Sequence, residues 1–425
     1  MNVAARPSPD LPRSGWLALM CASRVLQAMI VTAYAGVLPF VMRDWGMTAA
    51  QAGAVQSAWH VGYLSSLFAV GLLADRHGPH RVFIVGSMVG AAAVLAFALL
   101  ARGPVSAALL YGVAGLCAGA SYTPGLQLLA ANARPHERGR AMGLFLAAAS
   151  LGYALSLALV ASLALGPGWQ AGLLAVAGCN VAGAWLTVAA LRRMRPAEAP
   201  PPAAAAGALR ALGETLRDKR AMTGNWAYAF HCWELLALWA WLPAYLVATS
   251  GATGSMQSIG IAIAALSHLV SVAGSILGGS ASDRLGRARV MMAASLASLC
   301  MSFAFGWMAA WPLWALALMA ALYNMLAIAD SSVYSTALAE AVPPHRLGAA
   351  YSVRSVMGFG AGAISPWVFG LALDWGGARF GAGSTLAWAA AWSSVGLGAM
   401  LGPWMIMRFA RQERAVRRGG PAQSS

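Results

Sequence analysis

Apolar residues in this chain gather into runs long enough to cross a bilayer, which takes about 17–25 residues of helix. Twelve such runs can be drawn, at 16–42, 51–74, 82–102, 104–131, 141–165, 168–191, 222–249, 257–281, 290–310, 312–339, 349–373 and 384–407. They are numbered spans 1 to 12 in chain order. Most of the polar breaks between them are short. The exception is 192–221, which carries a Pro/Ala-rich piece and then a short basic amphipathic stretch. This pattern predicts an all-α membrane protein: a six-helix bundle over 1–191, a linker over 192–221, a second six-helix bundle over 222–408 and a basic tail over 409–425.

Composition agrees. Hydrophobic residues make up 60% of the 425 and charged residues 10%, against about 25% charged in a soluble domain. Such a chain cannot cover a water-facing surface of its size, and lipid must solvate most of its exterior. The net charge of +15 would suit nucleic acid if it were clustered, but it follows the loops instead. With the N-terminus placed inside, 23 of the 28 Lys and Arg fall in cytoplasmic tails and loops. Three (Arg43, Arg102, Arg379) fall outside, and Arg24 and Arg354 fall within spans. That is the positive-inside bias, with both termini cytoplasmic and a basic face towards anionic headgroups, and it predicts no nucleic-acid partner. The five cysteines all lie in apolar runs and show neither a disulfide framework nor metal-ligand spacing.

The polar words between spans repeat. "GLLADRHGPHRV" at 71–82 and "GSASDRLGRARV" at 279–290 share six of twelve positions: Gly71/Gly279, Asp75/Asp283, Arg76/Arg284, Gly78/Gly286, Arg81/Arg289 and Val82/Val290. "PHERG" at 135–139 is echoed by "PHRLG" at 344–348. The offsets, 208 and 209, are half a chain, and each copy closes the matching span of its half. Two parallel repeats place a binding site near the midplane between them.

The first copy, Gly71-Leu72-Leu73-Ala74-Asp75-Arg76-His77-Gly78, resembles the loop signature of the major facilitator superfamily, departing at Pro79-His80 where Arg-Lys is usual. The resemblance covers about 16–408. It implies secondary transport by alternating access, with spans 1, 4, 7 and 10 lining the cavity. It also implies that the loop carboxylates latch the cytoplasmic side. Asp75 would face the start of span 11 and Arg354, and Asp283 the start of span 5 near Arg138 and Arg140. A helix N-terminus attracts a carboxylate, and Gly71 and Gly78 allow the tight turn. The other explanation for these charges is topology alone, which needs the arginines but not the Gly and Asp.

Ionisable residues inside the bilayer cost roughly 2.5–3.5 kcal/mol each on insertion scales and are site candidates by default. Glu234 lies mid-span 7 with His231 three residues before it, and Trp241 and Tyr245 continue that face. A Glu–His pair in a cavity can exchange a proton; the structural alternative is a hydrogen-bonded pair bracing the span. Arg24 in span 1, with Gln27, Val31 and Tyr34 on its face, can hold an anion bidentately or be neutralised by Glu234 or another carboxylate. His60 and His268 each precede the motif Asp by 15 residues, as ligand contacts or as bonds between helices. Asp330 in span 10 matches Ser121 in span 4 and is expected to pair with Arg354 or Arg24 at an inner gate. No nucleotide loop, zinc spacing or catalytic triad is present, so neither an enzyme nor a resident cofactor is expected.

These features predict a proton-coupled, monomeric inner-membrane transporter taking up a small organic anion. Arg24, His60, His268, Trp241 and Tyr34 would touch substrate, and Glu234 with His231 would carry the proton. The alternatives are a drug or metabolite exporter, which the missing Gly-Pro motif in span 5 disfavours, and a transporter-like sensor.

Overall fold

The computed structural model describes residues 13–134, 138–164, 167–194, 203–250 and 255–419. All regular structure among them is helical, and the twelve spans are all there. Span 1 is Arg13–Ala28 and Ile30–Asp44, span 2 Ala49–His77, span 3 Pro79–Leu100, and span 4 Pro104–Ala118 followed by a 3-10 turn and Thr123–Asn132. Span 5 is Arg138–Ala164 and span 6 Trp169–Leu191. After the linker come span 7 (Lys219–Thr249), span 8 (Ser255–Leu285), span 9 (Arg287–Ala304 and a 3-10 turn), span 10 (Leu313–Ile328 and Ser331–Ala341), span 11 (Leu347–Phe380) and span 12 (Thr385–Ala399 and Gly402–Gly419). Ten segments are individually long and apolar enough to cross a membrane; spans 2 and 12 complete the set.

Local chemistry sets the ends. Thr48 accepts from the Gln51 N–H while Gln51 accepts from the Thr48 N–H, a capping box that satisfies two orphan donors at the start of span 2. Asp218 caps span 7 through the N–H groups of Arg220 and Ala221. The motif glycines act as a pair. Gly78 has φ +81° and Gly286 φ +93°, a region other residues avoid, and each ends one span and starts the next.

The packing repeats with the sequence. In the first half span 1 packs on 5 and 6, span 2 on 4, and span 3 on 6; in the second, span 7 packs on 11 and 12, span 8 on 10, and span 9 on 12. The halves meet through two matching pairs, 2 with 11 and 5 with 8, joined by span 1 against span 7.

The Ala49 end of span 2 and the Asp374 end of span 11 are closed tightly. Asp374, near the end of span 11, accepts from the N–H groups of Ala49 and Ala50 at 2.8 Å each. The carboxylate thus takes the exposed positive end of span 2. Gly53 and Gly370 lie directly on the facing backbone, at Pro366 and at Ala49. Among the described residues, the hydrogen bonds found between the halves are those two. The opposite ends of the spans are stitched within the second half instead. Arg287 bridges Asp283 (2.5 Å) and Glu340 (3.0 Å), Arg220 meets Glu413 (2.8 Å), and Arg346 meets Asp218 (3.2 Å). The linker forms a helix at Ala203–Arg217 that rests against span 11.

A methyl group at Gly370 has no room against the Ala49 carbonyl, whereas one at Gly143 meets nothing. Gly370→Ala is therefore expected to cost about 1–3 kcal/mol through overpacking and to lower the melting temperature of purified protein. Gly143→Ala is expected to leave it unchanged or raise it. Equal melting temperatures would show that the 2–11 contact is not tight.

Candidate functional site in the central cavity

A cavity lies between the halves, and its polar wall belongs to the first half. Arg24, Gln27, His60, Tyr63, Ser121, Tyr153 and Asn180 line it, while Leu236, Trp239 and Phe359 close it from the second half. Arg24 sits a little over one turn before span 1 breaks at Met29. Its Nη1 donates to Ser121 Oγ at 3.1 Å, and Ser121 is presented by the 3-10 turn Gly119–Ser121 that interrupts span 4. The rings of Tyr122 (5.7 Å) and Phe145 (5.4 Å) flank the guanidinium. Its Nε is buried without a partner, and no described carboxylate pairs with it. The expected pairing with Glu234 or Asp330 is absent, so the cation faces the cavity with donors to spare.

Gln27 has a different role. It donates to Ser23 and Thr187 and accepts from Ser87, pinning spans 1, 3 and 6 together. His60 is buried, with Nε2 3.4 Å from Gln56 and Nδ1 unpartnered. It stands edge-on to Trp59. His268, its repeat partner, packs behind the cavity wall against Trp239 (5.2 Å) and Tyr153 (6.4 Å).

The acidic groups of the second half are arranged otherwise than as a Glu234–His231 pair. His231 turns Nδ1 to Asp330 Oδ1 at 3.0 Å, a close approach without hydrogen-bond alignment. Its Nε2 lies 2.6 Å from Ser331 Oγ. Glu234 is buried one turn further on, accepting from Ser298 (2.9 Å) and Ser302 (2.7 Å), with Ser302 in turn on Tyr323 (2.6 Å). One donor per carboxylate oxygen is the satisfaction a buried acid requires. Asp330 thus meets neither Arg354 nor Arg24. Arg354 donates to Ser335 and lies over the rings of Tyr228 (4.6 Å) and Tyr351 (4.8 Å), with Nε buried and unpartnered.

Two expected substrate contacts are packing residues. The Tyr34 hydroxyl donates to the Ala52 carbonyl at 3.2 Å within a cluster with Phe97 and Tyr111. Trp241 Nε1 donates to the Pro366 carbonyl at 2.9 Å, and its ring stacks on Phe369. Neither lines the cavity. Helical spacing put them on the right face, but the outer parts of spans 1 and 7 lie where the halves are closed. Among the motif residues, Arg76 and Arg284 are exposed, and Asp283 holds Arg287 instead of reaching span 5. Gly71 lies within the helix of span 2, and the side chains of Asp75 and Arg138 lie outside the described residues. Residues not foreseen are Tyr122, Phe145, Tyr153 and Trp239, whose signal is aromatic placement beside a charge, and Asp374, a lone acid near the end of an apolar run.

The sequence matches the Major Facilitator Superfamily over residues 20–366. The chain belongs to that family: it is a multi-pass membrane transporter and not an enzyme. No curated protein matches it. Solved structures of similar fold include the nucleoside transporter NupG at 14% identity, covering 93% of this chain and 99% of that one with TM-score 0.74. A bacterial homologue of the human lysosomal transporter Spinster, in an inward-facing, occupied conformation, is 14% identical over 95% and 98%, with TM-score 0.76. A D-xylose-proton symporter is 15% identical over 92% and 96%, with TM-score 0.72.

Removing a donor from Glu234 should cost more than removing its charge. Ser302→Ala leaves a buried oxygen unpaired, at about 1–3 kcal/mol, and is expected to lower the melting temperature. Glu234→Gln keeps a partner for each serine and is expected to lower it less. The reverse order would mean that the serines do not serve Glu234.

Proposed function

We propose that this protein takes up a small organic anion across a bacterial-type inner membrane in symport with protons, working as a monomer with both termini cytoplasmic. The observation that carries this reading is Arg24: a cation inside the membrane, facing a cavity, with no carboxylate to neutralise it among the described residues. An intramembrane guanidinium left in that state has its counterion supplied by a ligand. Ser121, His60 and Tyr63 are placed to complete the contact.

Protons bind in the second half, at the acidic group formed by Asp330 with His231 and by Glu234 one turn away. Both acids sit on spans 7 and 10, which move with the half opposite Arg24. Protonation there and anion binding across the cavity therefore bias the same rocking equilibrium between 1–191 and 222–408, with 192–221 as the tether. The outer ends are joined through Asp374 in the state described above, an arrangement closed to the outside. Outward opening parts Asp374 from span 2. It brings together the inner motif residues, Gly71, Asp75, Arg76 and Gly78 with Arg354, and Asp283 and Arg284 with span 5.

Uptake by protein reconstituted in liposomes under an imposed pH gradient tests this directly. Arg24→Gln is expected to weaken binding of small carboxylates by ~10-fold or more, the scale of a charge-assisted contact, and to abolish uptake. Glu234→Gln and Asp330→Asn are expected to retain binding and lose proton-driven accumulation. If both retain accumulation, the proton site is misassigned. Efflux of hydrophobic compounds without anion uptake would favour an exporter.

A further inference from the structure

The rings around the cavity come from both halves and meet across it. Tyr63 of span 2 stands edge-on to Phe359 of span 11, with 4.9 Å between ring centres. Tyr153 of span 5 packs at 5.4 Å against Trp239 of span 7. All four line the cavity, as does Trp59, which stacks on Tyr63 at 5.2 Å with the ring planes 8° apart. These separations are those of directed aromatic pairs, stacked or edge to face. The indole of Trp239 is also fixed from behind, its Nε1 donating to Asn324 Oδ1 at 3.0 Å.

The polar part of the lining is limited in what it offers. Among the described residues that line the cavity, Arg24 is the single Lys or Arg, and there is no Asp or Glu. One unpaired cation asks for one negative charge. The amide of Gln27 is spent on Ser23, Thr187 and Ser87, and the amide nitrogen of Asn180 on the Leu26 and Val176 carbonyls. A polyhydroxylated acid would bury hydroxyls there without partners, at a cost for each. Among the described lining residues, the buried nitrogens left unpartnered are Arg24 Nε, His60 Nδ1 and Trp59 Nε1. The lining therefore suits a body that is apolar apart from its charge and one small substituent.

We infer that the cavity takes an aromatic monocarboxylate, with its carboxylate on Arg24 and Ser121 and its ring among Trp59, Tyr63, Tyr153, Trp239 and Phe359. This rests on the reading that Arg24 binds the substrate anion, and it deepens that reading by naming the class of anion. The rings of Tyr122 and Phe145 flank the guanidinium, which orients its fork for a bidentate carboxylate. A short acid held by Arg24 and Ser121 touches the first half alone. A ring carried beyond them reaches Trp239 and Phe359 and so touches both halves. Its affinity then changes as the halves part, which is what lets a solute bias the equilibrium between two states.

The test is titration of the purified full-length protein, by calorimetry and thermal shift, with benzoate, phenylacetate, cyclohexanecarboxylate, lactate, succinate and benzyl alcohol. Wild type is expected to bind the better aromatic acid ~10-fold or more tighter than lactate or succinate, the scale of burying one ring. It is expected to prefer that acid to cyclohexanecarboxylate by ~3-fold, the scale of an aromatic pair. Phe359→Leu and Trp239→Leu are each expected to lower the ratio of aromatic-acid to lactate affinity by ~3-fold or more on the same scale. Trp239→Phe also loses the bond to Asn324 but keeps a ring, and it is expected to restore most of the ratio. Arg24→Gln is expected to weaken every acid. Lactate or succinate bound as tightly as the aromatic acids, with Arg24→Gln still abolishing binding, overturns the aromatic site and leaves the anion reading standing. So does cyclohexanecarboxylate bound as tightly as the better aromatic acid, or an aromatic margin that survives both leucine variants. Benzyl alcohol bound as tightly as benzoate, or no acid bound by wild type, overturns both readings.

Discussion

A charge carried into a bilayer must be matched there, because no water is available to solvate it, and the interior of this protein is organised around where that match is made and where it is withheld. Glu234 is matched by two serine hydroxyls and Asp330 by His231. Asp374 is matched by the N–H groups of a helix end. Among the described residues, Arg24 and Arg354 each have a serine hydroxyl and the faces of two aromatic rings in place of a carboxylate. A cation over one ring gains about 0.5–2 kcal/mol, so two rings and a serine hydroxyl offset much of an insertion cost of roughly 2.5–3.5 kcal/mol. The fold therefore carries these two cations on rings and hydroxyls, where it carries its acids on hydrogen-bond donors.

The internal repeat decides where this imbalance falls. Span 4 is interrupted at Gly119–Ser121 and span 10 between Ile328 and Ser331, positions that superpose under the 209-residue offset. Each interruption presents a polar group to a neighbouring span: Ser121 to Arg24 of span 1, and Asp330 with Ser331 to His231 of span 7. Broken helices at the midplane are a recurrent way of building transporter sites. The two copies have diverged in charge. The first break faces an arginine and leaves it cationic, while the second supplies an acid to a histidine. The two breaks thus occupy matching places and surround charges of opposite sign.

The fold was legible in the sequence because its determinants are local. Twelve runs, a polar linker and two glycine-bounded charged words specify spans and turns residue by residue, and Gly78 and Gly286 take the backbone conformation that only glycine adopts freely. The site was legible in its members but not in its pairings. Arg24, Asp330, His231, His60 and Glu234 all stood out as ionisable groups in apolar runs. Spacing along one helix gives the face a residue occupies, not the helix that face meets. Hence His231 was matched with Glu234, its neighbour in sequence, when span 10 brings Asp330 to it. Tyr34 and Trp241 share faces with site residues but sit further out, where spans 1, 2, 7 and 11 are packed shut.

That closure bears on how the two ends of the molecule communicate. Asp374 binds the start of span 2, and the same two spans carry, further from that end, Tyr63 against Phe359 at 4.9 Å between ring centres. Phe359 and Tyr63 both line the cavity, and Arg354 lies little more than one turn below Phe359 on span 11. Span 11 is helical throughout from Leu347 to Phe380, so it transmits tilt along its length. A change of tilt at one end of span 11 is therefore felt at the other, and parting Asp374 from Ala49 and Ala50 has a small net cost, since water replaces the two hydrogen bonds.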